Sequence, residues 1–409
     1  MSSVFQPIGQ LTRRHVLFPL SLVLFEFATY IAHDMIQPGM LQVVEDFGAS
    51  AQWVPASLTA YLSGGVMLQW LLGPLSDRLG RRPVMLSGVA MFVITCLAML
   101  LVQSIEQFIL MRFLQGMSIC FIGAVGYATI QEAFNETLSI KMMALMANVA
   151  LLAPLLGPVA GAAFIHIAPW KAMFALFALL SAISLWGLWK AMPETAPRDG
   201  SRFSMQRLLA DYRLVFSNRK FIYGSLAIAF SALPLLAWVA QSPVILIKDQ
   251  GLTPLQYGMW QVPIFVGLIA GNLVLSYISG KVTIEKPLWF GAPPILLGLL
   301  IAATATLIAE NAWIWTTAGL TLYAFGTGLI NAGLYRLTLF ASPLGKGTVA
   351  AALGMITIAV FVAGIEIAKL IYFAAGSGFF NLFALASGII WLWLMVLFLR
   401  KRPTDQMNG

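Results

Sequence analysis

Gly73-Pro74-Leu75-Ser76-Asp77-Arg78-Leu79-Gly80-Arg81-Arg82-Pro83 joins two long apolar runs, 52–73 and 83–102, through a short, strongly basic break. Each flanking run has the roughly 20 residues that a helix needs to cross about 30 Å of hydrocarbon. Within the break, Gly73 permits close approach of a neighbouring helix and Gly80 permits a tight turn. Asp77 can meet a positive helix N-terminus or a nearby arginine, a contact able to hold one conformation shut. An ordinary basic membrane loop would account for the arginines but not for the Gly-Asp-Gly spacing.

The same alternation of apolar run and polar break recurs along the chain. The expected spans are 15–38, 52–73, 83–102, 107–133, 139–165 and 170–191, then 221–247, 254–280, 287–309, 312–340, 347–375 and 378–399. Of 409 residues 60% are hydrophobic and 10% charged, and the mean hydropathy is +0.86, so lipid is the solvent for most of the chain. Backbone exposed to lipid must satisfy its own hydrogen bonds, which requires helices. The fold class expected is an all-α polytopic membrane protein of twelve spans in two six-helix halves. Residues 1–192 make the first half, 193–220 a cytoplasmic linker, and 221–409 the second half with its tail. The linker holds Pro193, Pro197, Gly200 and a series of basic residues, with a short amphipathic helix expected around Leu208 to Val215. Two such halves imply a transporter that rocks about a site near the bilayer midplane.

Lys and Arg accumulate on the cytoplasmic side of membrane proteins. With the N-terminus inside, nineteen of the 24 fall on cytoplasmic segments, two (Lys171 and Lys248) fall outside, and three (Arg112, Arg336 and Lys369) lie within spans. Both termini are therefore expected in the cytoplasm. The formal charge of +8 thus belongs to membrane loops and not to a clustered basic face for nucleic acid. Arg13 and Arg14 precede an apolar run as in a signal peptide, but that run contains Glu26 and no small-residue cleavage site follows, so it is expected to stay attached. Cys96 and Cys120 both lie in apolar spans and read as packing residues.

The Gly73 to Pro83 stretch resembles the signature that the major facilitator superfamily carries at this loop. Gly157-Pro158-Val159-Ala160-Gly161 in the fifth span resembles the motif marking antiporters within it. A proline among glycines lets a helix bend and a neighbour pack closely, although small-residue packing is also common in membrane helices. The corresponding loop of the second half, Ser279-Gly280-Lys281-Val282, keeps little of the pattern. Leu24-Phe25-Glu26-Phe27, Asp34 to Met40, Gln69 to Gly73, Arg112 to Gly116, Ala147-Asn148-Val149-Ala150 and Leu235-Leu236-Ala237-Trp238 resemble the drug/proton antiporters of that superfamily. The resemblance implies export of lipophilic cationic, zwitterionic and neutral drugs in exchange for protons. It implies gating at Gly73, Asp77, Arg78, Gly80, Arg81, Gly157, Pro158 and Gly161, and drug contacts that include Ala147 and Ala150. His33 departs from it, standing where a neutral amide is expected beside Asp34.

Charges inside a membrane are costly and mark function by default. Glu26 sits midway along the first span, and Asp34 lies eight residues on, about 12 Å further along the helix and on a broadly similar face. With Tyr30 and His33 they form a candidate binding stripe; a buried hydrogen bond at Glu26 and snorkelling at Asp34 are the other readings. Arg112 lies early in the fourth span at a depth matching Asp34, so the two can form a switchable ion pair or a permanent one. Proton coupling is assigned to Glu26, Asp34 and Arg112. Glu132 and Arg336 lie near the cytoplasmic ends of their spans and read as mouth electrostatics or snorkelling, while Glu366 and Lys369, three residues apart, can neutralise each other. The seventh span has no charge at its middle, only Leu235, Leu236, Trp238 and Val239 after Pro234. Such residues form either an apolar wall for greasy cations or ordinary packing.

A nutrient symporter on the same fold is the main competing function. An enzyme is not expected, because no His cluster at metal spacing, nucleophile elbow or phosphate-binding Gly-Lys loop occurs. A channel is not supported either, as nothing resembles a repeated selectivity filter. No cofactor or metal is expected. The expected partners are small-molecule drugs, protons and the lipids of a bacterial inner membrane.

Overall fold

The computed structural model describes residues 13–196, 205–308 and 312–400. Pro197, Arg198, Gly200 and Arg202 of the linker, and Lys401 and Arg402 of the tail, lie outside the described residues. The described chain is helical, joined by turns, with a single isolated bridge between Ser279 and Val282. Fifteen α-helices follow one another: α1 (Arg13–Asp34), α2 (Met40–Asp46), α3 (Trp53–Met67), α4 (Gln69–Leu79), α5 (Arg81–Met99), α6 (Ile105–Phe121), α7 (Tyr127–Ala133), α8 (Glu136–Ile167), α9 (Trp170–Ala191), α10 (Met205–Ser217), α11 (Arg219–Ser242), α12 (Pro254–Ile278), α13 (Lys286–Ile308), α14 (Ala312–Leu339) and α15 (Lys346–Leu399).

These helices make the twelve expected spans. Among the described residues, nine helical stretches are long and apolar enough to cross a membrane by themselves. The 54-residue α15 is one of these, yet Gly376 at φ 81° interrupts it between the two expected final spans, in a backbone region that L side chains rarely adopt. α3 and α4 form one span broken at Leu68, each part being short, and α14 forms another despite its Thr, Gly and Tyr content. Two boundaries differ from expectation. The first span continues past residue 38, because Pro38 opens a helical turn at Gln37–Gly39 that leads into α2, buried on Met40, Val43 and Val44. The signature between the second and third spans is no loop: Asp77 and Arg78 end α4, Arg81 begins α5, and Gly80 at φ 105° alone makes the corner. In the linker, α10 forms where the amphipathic pattern placed it, burying Leu208, Tyr212 and Val215.

The chain divides into two compact units, residues 1–205 with 240–259, and residues 206–239 with 260–409. In the first, α1 packs on α8 and α9, α3 on α6, and α5 on α6 and α9. A π-helical turn, Pro243–Asp249, belongs to this unit and packs on α2. In the second, α13 packs on α14 and α15. A second π-helical turn, Ile122–Gly126, joins α6 to α7 into one continuous span.

The α3–α6 contact is backbone on backbone, since a Cβ at Gly116 would lie 1.8 Å from the Tyr61 carbonyl oxygen. Gly116→Ala is therefore expected to destabilise the protein by about 1–3 kcal/mol. Gly123→Ala, where an added Cβ meets nothing within 4 Å, is expected to stay within about 0.5 kcal/mol of the parent. Thermal unfolding in detergent reads the difference; coincident midpoints for the two variants would contradict it.

Candidate binding and proton-coupling site

The first unit carries three buried ionisable groups drawn together by α1 and α6. Glu26 on α1 is fully buried. The Tyr127 hydroxyl at the start of α7 donates to Glu26 Oε1 at 2.6 Å, while Glu26 Oε2 has no hydrogen-bond partner among the described residues. The helix around it is tied down: Thr29 Oγ1 donates to the Glu26 carbonyl at 2.9 Å, and the Tyr61 hydroxyl donates to the Thr29 carbonyl at 2.8 Å. Half the carboxylate is thus held and half left open. An apolar surrounding makes an unpaired carboxylate oxygen costly, so this atom is the natural receptor for a cation, a donor or a proton.

Arg112 on α6 is fully buried as well. Its Nη1 donates to Gln115 Oε1 at 3.0 Å and to the Ala32 carbonyl at 3.4 Å, and its Nε to Ser57 Oγ at 3.3 Å. The Tyr61 ring lies beneath the guanidinium at 4.3 Å, which lends it cation–π stabilisation, and Nη2 has no hydrogen-bond partner among the described residues. No carboxylate lies within 4.0 Å of Arg112 among the described ion pairs. Asp34, at 4% exposure, instead accepts its contact from His33, with Nδ1 2.9 Å from Oδ1. The His33 ring in turn sits 5.4 Å from that of Tyr61. Asp34 and Arg112 are therefore gathered around one tyrosine without being joined. Tyr30 and His33 are half-buried on α1, Ala147 is exposed on α8 and Ala150 is half-buried there.

The Gly157 to Gly161 motif of α8 packs onto the end of α1. A Cβ at Gly157 would fall 2.5 Å from Asp34 Cβ, and one at Gly161 would fall 1.9 Å from the Met35 carbonyl oxygen. Pro158 lies between them, and Pro154 one turn earlier, so the stretch in contact with Asp34 also lacks helix-stabilising amides.

At the corner between α4 and α5, Arg81 is the hub. Its Nη2 meets Asp77 Oδ1 at 2.6 Å and Glu132 Oε1 at 2.9 Å, its Nε reaches Glu132 Oε2 at 3.3 Å, and its Nη1 donates to Ser76 Oγ at 2.6 Å. Thr195 Oγ1 donates to Glu132 at 2.6 Å, and Glu194 accepts from the Arg81 amide at 2.7 Å and the Arg82 amide at 3.3 Å. Arg78 is exposed, and a Cβ at Gly73 would meet nothing within 4 Å, so close packing is not the use of that glycine in this structure. Glu366 and Lys369 do pair with each other.

In the second unit, Leu235 and Val239 are buried and Leu236 is half-buried. Trp238 Nε1 donates to Gln261 Oε1 at 3.0 Å, and the Tyr323 hydroxyl donates to the Ser231 carbonyl at 2.5 Å, which fixes α11 on either side of Pro234. The residues that sequence reasoning missed are Tyr127, Tyr61, Ser57, Gln115, Glu194 and Thr195. The signal that could have found Ser57 and Gln115 is a polar group inside an apolar span, whereas tyrosine is too common in such spans to signal a partner.

Residues 22–368 match the family model described as Major Facilitator Superfamily. The chain belongs to the major facilitator superfamily. Its similarity to curated members extends over nearly its whole length. It is 62% identical over 403 residues to a Yersinia pestis bv. Antiqua protein named Multidrug transporter MdfA, covering 98% of each chain. A protein of the same name from Escherichia coli O6:H1 is 60% identical over 394 residues, covering 96% of each. Among solved structures, a partially occluded inward-open form of the Escherichia coli xylose transporter XylE superposes with a TM-score of 0.75 at 14% identity, covering 95% of this chain and 98% of that one. That likeness shows the fold, while the family match and the long apolar helices make the chain a multi-pass membrane protein.

The Arg81 hub sets a test in this major facilitator chain. Arg81→Gln and Glu132→Gln each strip a partner from the other, so the double variant is expected to lose less stability than the two singles together by about 0.5–2 kcal/mol. Thermal midpoints in detergent measure the cycle, and strict additivity would show that the contact contributes nothing.

Proposed function

We propose that this chain exports lipophilic drugs from the cytoplasm in exchange for protons, by alternating access of its two six-helix halves in a bacterial inner membrane. The observation that carries the reading is Glu26, fully buried with one oxygen held by Tyr127 and the other unpartnered. The relatives named Multidrug transporter MdfA support the drug class, and the excess of Lys and Arg on alternate segments supports cytoplasmic termini. In this reading Tyr30, His33, Asp34, Ala147 and Ala150 are the further drug contacts of the first unit, and Leu235, Leu236 and Val239 are apolar drug contacts of the second.

A cationic drug and a proton are alternative ways of compensating the same buried carboxylate. Loading the drug from the cytoplasm therefore releases the proton there, and loading a proton from the other side releases the drug. Asp34 and Arg112 supply the second element. In the arrangement described, Asp34 contacts His33 and Arg112 rests on Tyr61, Ser57, Gln115 and the Ala32 carbonyl. Joining them in another conformation favours the ionised carboxylate, and parting them favours proton uptake. The cluster about Arg81 and the Gly157 to Gly161 contact act as gates whose state the two loaded forms bias.

Vesicles containing the protein, with a pH gradient imposed, are expected to release protons on drug addition. Asp34→Asn is expected to abolish that release while weakening drug binding far less. Unchanged release in Asp34→Asn would remove Asp34 from the coupling path.

Glu26 separates drugs by charge. Neutral compounds gain no Coulomb attraction from it, so Glu26→Gln is expected to weaken binding of a lipophilic cation at least about tenfold and leave a neutral drug within about twofold. Dissociation constants for one drug of each kind, on folded and inserted protein, decide this. Equal losses for both would make Glu26 a general structural residue.

A further inference from the structure

The second unit contains a groove that plays no part in the drug reading. It holds about 500 Å³ where α12 runs into α13 and α14 approaches its end, lined by Leu275, Val282, Ile284, Pro287, Ala332 and Arg336. Gly280 at φ 83° turns the chain back there, and the Ser279–Val282 bridge closes the turn. The lining is apolar apart from the backbone, one guanidinium and the Ser279 hydroxyl, which is turned to the Leu275 carbonyl at 2.7 Å. Around it stand Lys281, Lys286, Arg336 and Lys346, with Glu285 the one acid of the connecting segment. None of the four cations is in an ion pair within 4.0 Å among the described residues. Three of them rest on aromatic faces: Lys281 Nζ lies 3.5 Å from the Tyr277 ring centre, and Arg336 Cζ and Lys346 Nζ lie 5.6 and 4.3 Å from that of Phe340. Lys346 also donates to the Ser342 carbonyl at 3.1 Å. Beside the groove, Tyr277, Trp289 and Phe290 are exposed, as aromatic side chains are where hydrocarbon meets head groups.

We propose that this groove binds one anionic phospholipid, its phosphate at Arg336 with Lys281 and Lys286 nearby, and an acyl chain along Leu275, Val282, Ile284 and Pro287. An excess of positive charge at a membrane boundary attracts anionic head groups, and the guanidinium offers a forked donor that suits a phosphate. The apolar lining would be wasted on a free phosphate. Lipophilic cations are repelled by four positive charges set against one acid, and neutral drugs gain nothing from Arg336. The lipid would hold the α12–α13 turn against the end of α14 and so support that end of the unit.

Native mass spectrometry of the full-length protein, released from detergent with phosphatidylglycerol or with phosphatidylcholine of the same acyl chains, tests the site. The expected result is one phosphatidylglycerol retained about tenfold more tightly than phosphatidylcholine, with Arg336→Gln reducing it to the phosphatidylcholine level. Ala332→Leu narrows the groove without touching a charge and is expected to release the same lipid, which keeps the test open should the arginine variant fold poorly. Retention of phosphatidylglycerol in either folded variant, or no preference between the two lipids in the parent, would overturn the proposal. Displacement by inorganic phosphate would reassign the site to a free anion, and displacement by tetraphenylphosphonium to the drug path; either result would overturn it as well.

Discussion

Charges carried inside an apolar helix bundle have to be compensated from within it, because hydrocarbon offers neither hydrogen bonds nor counter-ions. Arg112 meets that constraint with an aromatic face, a hydroxyl, an amide oxygen and a backbone carbonyl, and without a carboxylate. Its positive charge is solvated by dipoles but not neutralised. Asp34 meets the constraint through His33, and Glu26 through Tyr127 on one oxygen. Glu26 Oε2 and Arg112 Nη2 are left without a hydrogen-bond partner among the described residues. A fully paired network of the same residues would be more rigid and would have nothing to exchange.

One continuous span reaches all three polar centres of the first unit. α6 and α7, joined by the turn Ile122–Gly126, carry Arg112 to the end of α1, Tyr127 to Glu26 and Glu132 to Arg81. A π-helical turn adds a residue to one turn of helix and so resets which face the following residues present. Its position between Arg112 and Tyr127 lets both polar side chains meet α1, and Glu132 then reaches the α4–α5 corner on the opposite end. Any axial movement of this span is felt at the corner and at Glu26. The local chemistry at Arg81, two carboxylates on one guanidinium with Thr195 and Ser76 filling remaining sites, makes the corner the best-satisfied of the three centres.

Much of this was legible in the chain. Length and polarity of the runs placed the spans, down to the break at Gly376, because the bilayer thickness leaves little freedom in where a span ends. Buried charges marked Glu26, Asp34 and Arg112, because their cost in lipid demands a reason. Partners were harder to read. The alternation of apolar and polar residues says nothing about which helices touch, so the pairing of Tyr127 with Glu26, 101 residues away, and of Arg81 with Glu132, 51 residues away, left no periodic trace. The extension of the first span through Pro38 was missed because proline signals an ending and a beginning equally well. Gly73 illustrates the reverse error, a glycine given a packing role that its surroundings do not use.

The antiporter motif on α8 acquires a physical meaning from where it packs. With Gly157 and Gly161 pressed against Asp34 and Met35, side chains of any size are excluded, and the two helices touch backbone to backbone. Such a contact transmits displacement directly, since no flexible side chain lies between to absorb it. α8, which carries Pro154 and Pro158, therefore presses on the end of α1 that holds Asp34, whereas Arg112 sits on α6, which is packed on α3 and α5. In the proposed cycle, the distance between the two charges is then set by the position of α8 relative to α6. In that proposed cycle a motif of small residues with no charge of its own acts on the separation of two charges through the end of α1.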